Sequence, residues 1–343
     1  MRRLVINIVL SFDKLVLYDK IIVSGDIIMI NIKTRLTKFT KVKEIEVSNN
    51  LGLKLVLVNI GAGIKQVYLF DKPMTYSDED LSSYIYDGGY LGKIVGRTSG
   101  RIKDGIAIIN NKEYKLLKFS KHHLHGGKGF SFRPFEVEIK EDEENINVEF
   151  FYFSKDLECG YPGNLEVKIT YIISKLENKF TIDYKAISDQ DTLCNLTNHV
   201  YWNLNGYLDN IGNHKLKVDA SKYVEVDNEL IFKSIKDVDN VFDFRKGKLI
   251  KDDLYSQNLL DNAGGYDHDL ILDSDEVVLE NETITLMMKT TLPICHIYTG
   301  NYLKDKYYGV ALEFEKEAYD LDKVFLKKDE LYHQVTLYSF IKK

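Results

Sequence analysis

The residues best suited to proton chemistry in this chain fall in five stretches rich in Gly, Asn, His, Arg and acids. In Gly96-Arg97-Thr98-Ser99-Gly100-Arg101-Ile102, two arginines four apart sit among glycines, and a planar guanidinium can grip a carboxylate or hydroxyls as easily as it can serve structure. His122-His123-Leu124-His125-Gly126-Gly127 sets three histidines close together, but their spacing matches no common zinc pattern and no HExxH or paired Cys lies nearby. On a strand, His123 and His125 share a face and His122 takes the other, so His125, before the double glycine, is the functional candidate and the other two read as ordinary loop or surface residues. Leu196-Thr197-Asn198-His199-Val200-Tyr201-Trp202 holds a histidine whose ordinary pKa suits work at neutral pH; a core histidine bonded to backbone explains it equally well, and Trp202 reads as core. In Gly264-Gly265-Tyr266-Asp267-His268-Asp269, Asp267 can accept paired bonds from vicinal hydroxyls or simply close an Asx turn. Finally, Tyr298-Thr299-Gly300-Asn301 precedes Gly309-Val310-Ala311-Leu312-Glu313-Phe314-Glu315, where acids interrupt an apolar strand. Burial there raises a carboxyl's proton affinity and makes a usable base, unless a salt bridge relieves it.

The elements that must carry these residues are strands. Two-residue alternation dominates from about Glu44 onward, as in Phe135 to Lys140 and Leu165 to Thr170, each run burying one face and wetting the other. Turn-prone residues separate the runs at Asp142 to Asn145, at Glu177-Asn178-Lys179 and at Asn110-Asn111, the signature of hairpins. Only Ser77 to Tyr84 and Asp252 to Leu260 read as short helices. The expected class is all-β, two large antiparallel sheets face to face in one sandwich without a domain boundary.

Composition narrows the function. The 343 residues carry 46 basic and 52 acidic side chains for a net charge of -6, with no basic stripe, which argues against a nucleic-acid partner. Cys159, Cys194 and Cys295 are odd in number and lack CxxC spacing, so free thiols and a cytoplasmic location are expected. The start, Met1-Arg2-Arg3 before Leu4 to Leu10, has the order of a short secretory signal, but Ser11-Phe12-Asp13-Lys14 breaks the apolar run and no segment is long enough for a membrane span. Residues 1–28 are read as an extension of doubtful status, with Met29 as an alternative initiator and 29–343 as a single domain.

In their order along the chain, these motifs resemble the aldose 1-epimerase (galactose mutarotase) family from about residue 40 to the carboxyl end. The resemblance rests on the stretch 96–102, Leu124-His125-Gly126-Gly127, Leu196-Thr197-Asn198-His199, Gly265-Tyr266-Asp267-His268, Tyr298-Thr299-Gly300-Asn301 and Leu312-Glu313. It implies a galactose mutarotase-like supersandwich, an isomerase interconverting the anomers of free hexoses such as galactose and glucose, no cofactor, no metal, and a monomer or homodimer. It also implies that Glu313 is the general base, His199 the general acid, and that His125, Arg101 and Asp267 hold the sugar and balance charge. His296, where relatives often have Gln, is expected to touch a hydroxyl. Gly100 stands where many relatives have Asn, and Phe314-Glu315 replaces the more usual Thr-Gln, which bears on fine sugar preference. The alkaline limb of the pH profile is expected to follow His199. The competing readings are a non-catalytic sugar-binding module, a carbohydrate-cleaving enzyme and a sugar-phosphate epimerase.

Overall fold

The computed structural model describes residues 4–11, 14–22, 29–36, 41–86, 89–206 and 209–343, with side chains from residue 42 onward apart from 86, 258 and 262. Strands build two large antiparallel sheets, as the alternation predicts. The first is a seven-stranded meander in chain order, from Leu4–Ser11 through Lys41–Ser48, Leu53–Val58 and Gly63–Leu69 to Lys72–Pro73. Of residues 1–28, Leu4–Ser11 and Lys14–Ile22 pair with each other and the second of them with Met29–Leu36; residues 1–3, 12–13 and 23–28 lie outside the described residues.

The second sheet has thirteen strands. Its hairpin series Glu136–Glu141, Asn145–Ser154, Leu165–Ser174 and Lys179–Ser188 joins the carboxyl-terminal strand Leu331–Lys342, then Ile284–Thr290, Asp267–Glu280, Ile294–Tyr298, Val310–Glu315 and Tyr201–Trp202. One apolar core fills the space between the sheets, with Ile45, Leu55 and Leu57 of the first against Phe150, Ile169, Leu286 and Leu312 of the second. Trp202 is fully buried in it, beside Tyr338 and Phe340, as expected of a core residue.

The turns follow the chemistry of their residues. Asn110 and Asn111 both take left-handed backbone angles, φ 50° and 60°, and close the hairpin between Ile106–Ile109 and Lys112–Lys115. Paired positive angles match the right-handed twist of the flanking strands, and asparagine tolerates them. Helices are short: Leu81–Tyr86 begins later than the sequence suggests, and the expected helix near 252–260 is two, Lys251–Leu254 and Gln257–Asn262, separated by Tyr255 and Ser256. No helix among the described residues is long and apolar enough to cross a membrane.

Candidate active site

Strand alternation assembles the floor of the site. In the all-buried strand Val310–Glu315, Val310, Leu312 and Phe314 enter the core, so Ala311, Glu313 and Glu315 face the other way. Register then lines up neighbours across three strands: Asp267, Tyr298 and Ala311 form one rung, and Asp269, His296 and Glu313 the next. All of these but Ala311 line a cleft of about 740 Å³ together with Arg101, His125 and His199, a size typical of small-molecule sites, which run about 300–1,000 Å³. All six residues singled out from the sequence therefore meet in one place.

The remaining walls come from loops tied to each other. Arg101–Ile102 pairs with His123–Leu124, which brings the arginine and histidine motifs together. The strand ends at Leu124, and His125 turns to φ 48° while its N–H donates to the Gly100 carbonyl at 3.1 Å. His123 and His125 therefore do not share a face, contrary to the strand reading. Gly126 follows at φ 71°, where a Cβ would lie 1.7 Å from the Gly96 carbonyl oxygen, so the motif demands glycine. His199 is set by its backbone, whose N–H donates to Lys93 and whose carbonyl accepts from Gly92. The Tyr298-Thr299-Gly300-Asn301 stretch fastens the loop before Asp267: Tyr266 N–H donates to Thr299 Oγ1, and Asn301 Nδ2 donates to the carbonyls of Ala263 and Tyr266.

Several residues that neighbour the candidates in these motifs serve the structure. Arg97 is buried and donates to Ser154 Oγ, Thr192 Oγ1 and the carbonyls of Ser154, Lys155, Pro162 and Gly163, so the two arginines of the motif divide into one for the fold and one for the cleft. His122 and His123 are not surface residues. His122 Nδ1 accepts from the Asp104 N–H, and His123 lies between Leu117 O and Tyr161 Oη, each at 2.6 Å. His268 alternates away from Asp267 and packs edge-on against Phe242 at 4.9 Å.

At the centre, His199 Nε2 lies 3.3 Å from Glu313 Oε1. Neither Glu313 oxygen makes a hydrogen bond among the described residues, nor do His199 Nδ1 and His125 Nδ1, although all four atoms are buried. Burial, reinforced by the charges of Asp267 and Asp269, pushes Glu313 up to about 8 against the opposing charges of His296 and Arg101. Burial and the charge of His296 push His199 down to about 3, and burial holds His125 well below its ordinary value. Between those limits the Glu313–His199 pair holds one proton, which rests on Glu313. That differs from the expected alkaline limb at His199, because desolvation disfavours the imidazolium in this pocket. Tyr90, Tyr201 and Tyr298 crowd the imidazole at ring distances of 4.8–6.0 Å. Nothing local in the sequence marks Tyr90 for this role.

A second cluster flanks the pair. His296 stands between Asp267 Oδ1, 3.1 Å from Nε2, and Asp269 Oδ1, 2.6 Å from Nδ1, while Arg101 Nη2 lies 3.6 Å from Asp267 Oδ2. Burial alone would raise the Asp267 carboxyl, but His296 and Arg101 outweigh it and hold it below the usual carboxylate range. Burial would likewise lower His296, yet its bonds to the two carboxyls raise it well above ordinary imidazole. Asp269, His296 and Glu315 bring donor atoms within 4.8 Å of one another, a spacing a metal ion could use. His296 Nδ1 is already engaged by Asp269, and burial pushes Glu315 well above the normal carboxyl range, which works against the deprotonated donors a metal needs.

Fold and cleft together define a sandwich protein with a buried carboxyl and imidazole 3.3 Å apart in one cleft. The sequence model of the aldose 1-epimerase family matches residues 43–339, and the chain belongs to that family, whose members are isomerases. It is 38% identical over 234 residues to an aldose 1-epimerase from Haemophilus influenzae, covering 65% of this chain and 67% of that one. It is 30% identical over 321 residues to the galactose mutarotase of Bos taurus, covering 84% and 91%. Among solved structures, a galactose 1-epimerase from Lactobacillus acidophilus superposes with a TM-score of 0.84 at 27% identity over 90% of this chain and 96% of its own. The three cysteines are free thiols.

Proposed function

We propose that this chain interconverts the α and β anomers of a free aldohexose, with galactose and glucose as the sugars to test, by acid/base opening and reclosure of the ring without a cofactor. The observation that carries this reading is the set of buried, unpartnered atoms on Glu313, His199 and His125 around one cleft. Buried polar atoms in folded proteins are nearly always bonded, so such a set calls for a ligand with several hydroxyls.

The reaction needs two proton transfers. Shift of the shared proton from Glu313 to His199 produces a carboxylate and an imidazolium. Glu313 then takes the C1 hydroxyl proton as His199 protonates the ring oxygen, the bond between C1 and that oxygen breaks, and an open-chain aldehyde forms. Rotation about the C1–C2 bond and reversal of both transfers close the ring on the other face. His125 stands beside His199, with ring centroids 5.5 Å apart, and stabilises the developing charge. Arg101 and the ionised Asp267 hold distal hydroxyls. A general acid or base of this kind contributes about 10²–10⁴ in rate, which suffices for a reaction that already proceeds slowly in water.

Asp267 is committed to His296 and Arg101, which argues against its serving with Glu313 as the two flanking carboxyls of a hydrolase. Chemistry and thiols alike suit a cytoplasmic enzyme of hexose metabolism. The test is time-resolved polarimetry of freshly dissolved α-galactose and α-glucose with purified protein, alongside an aryl galactoside. Accelerated mutarotation with no released phenol is expected; release of phenol without acceleration would replace the proposal with a hydrolase.

A further inference from the structure

Four carboxyl groups, Asp267, Asp269, Glu313 and Glu315, stand on one face of three neighbouring strands, and His296 lies among them. Both of its ring nitrogens face carboxyl oxygens, Nδ1 that of Asp269 at 2.6 Å and Nε2 that of Asp267 at 3.1 Å. A neutral imidazole has one donor nitrogen and one acceptor. Between two carboxylates, the acceptor would point its lone pair at an oxygen; only the imidazolium satisfies both sides. The other groups around it fit that balance. Glu315 is pushed by burial and by the charge of Asp269 towards its neutral form, Glu313 carries the shared proton, and His125, His199 and His268 are all pushed down by burial. Arg101 supplies the second positive charge, 3.6 Å from Asp267.

We propose that Asp269 is a positioning residue: by accepting from Nδ1 it locks His296 as an imidazolium that donates through Nε2 to Asp267, fixing Asp267 as an ionised acceptor for vicinal sugar hydroxyls. His296 thus acts on the sugar through Asp267 and makes no hydroxyl contact of its own. The inference rests on the sugar-holding role of Asp267 proposed above, and it adds a residue that touches no substrate. It also explains how a face carrying four acids binds a neutral ligand: two of the acids are matched by cations and two are neutral in the resting enzyme. Charge-assisted bonds at both ends orient the imidazole more firmly than neutral ones would.

The test reads ring protonation directly. In full-length protein labelled with ¹⁵N-histidine, the His296 ring is assigned through its backbone correlations and checked by the loss of its signals in His296→Gln. At pH 8 and without sugar, both nitrogens are expected at protonated positions in the wild type, and deprotonation is expected at lower pH in Asp269→Asn. One unprotonated ring nitrogen in the wild type at pH 8 would overturn the proposal, since Asp269 would then be the donor to a neutral ring. In kinetics, Asp269→Asn is expected to raise KM for galactose about ten-fold, the effect of losing one charge-assisted bond, while kcat stays within about three-fold. An unchanged KM, or a large fall in kcat alone, would refute it. Because the ring measurement needs no turnover, its failure is distinct from failure of the anomerase reading, which wild-type polarimetry decides.

Discussion

Replacing Glu313 by Gln should make the protein slower and, at neutral pH, more stable. In the folded chain the carboxyl is raised from 4.5 to about 8, chiefly by burial. The native state therefore holds this proton more tightly than the unfolded chain does. The stability it contributes is complete below pH 4.5 and is lost as pH rises towards 8, at about 1.4 kcal/mol per unit, or about 3 kcal/mol between pH 4.5 and 7. Gln has the same shape, no proton to lose, and replaces oxygens that accept no hydrogen bond among the described residues. Urea denaturation of both proteins at pH 4.5 and 7 should show the wild type losing about 3 kcal/mol more than the variant between the two pH values. Polarimetry on the same samples should show kcat reduced by about 10²–10⁴. Parallel pH dependence of stability in the two proteins would refute the buried, proton-holding carboxyl, and unchanged turnover would refute its role as base.

His199→Asn should also lower turnover by about 10²–10⁴ with the fold intact, as read by polarimetry and circular dichroism. Arg101→Ala should raise KM for galactose at least ten-fold and change thermal stability little, because Arg101 makes one long ion pair where Arg97 holds four carbonyls. Arg97→Ala should do the reverse, lowering unfolding free energy by about 3 kcal/mol or more by stranding buried acceptors. Gly126→Ala should lower both stability and kcat, because its Cβ would collide with the Gly96 carbonyl and displace His125. A chain begun at Met29 should keep full kcat, since every residue lining the cleft lies beyond Thr75; loss of turnover on deleting 1–28 would contradict this.

Much of the fold follows from local pattern. Alternation through 135–140 and 165–170 marks strands, and Asn110-Asn111 marks its turn, because these signals depend on neighbours in sequence. The same period places Glu313 and Glu315 on one face. What surrounds Glu313 depends on register between distant strands: Asp269, His296 and Glu313 share a rung although 27 and 17 residues separate them. Hence Asp269 reads from sequence only as an acid beside His268, and His296 as a hydroxyl contact. Arg97 and Arg101 look equivalent in the motif and part company only where the carbonyls of 154, 155, 162 and 163 converge on the first. The face of His125 is missed because its left-handed backbone ends the strand one residue early.

The central claim is that one proton shared by Glu313 and His199 drives anomerisation, and the pH profile of wild-type kcat/KM for α-galactose mutarotation tests it most directly. A bell with limbs near the two shifted values, about 3 for His199 and about 8 for Glu313, is expected. Enzyme that accelerates mutarotation at no pH, or a single limb near the ordinary imidazole value of 6.5, would contradict it.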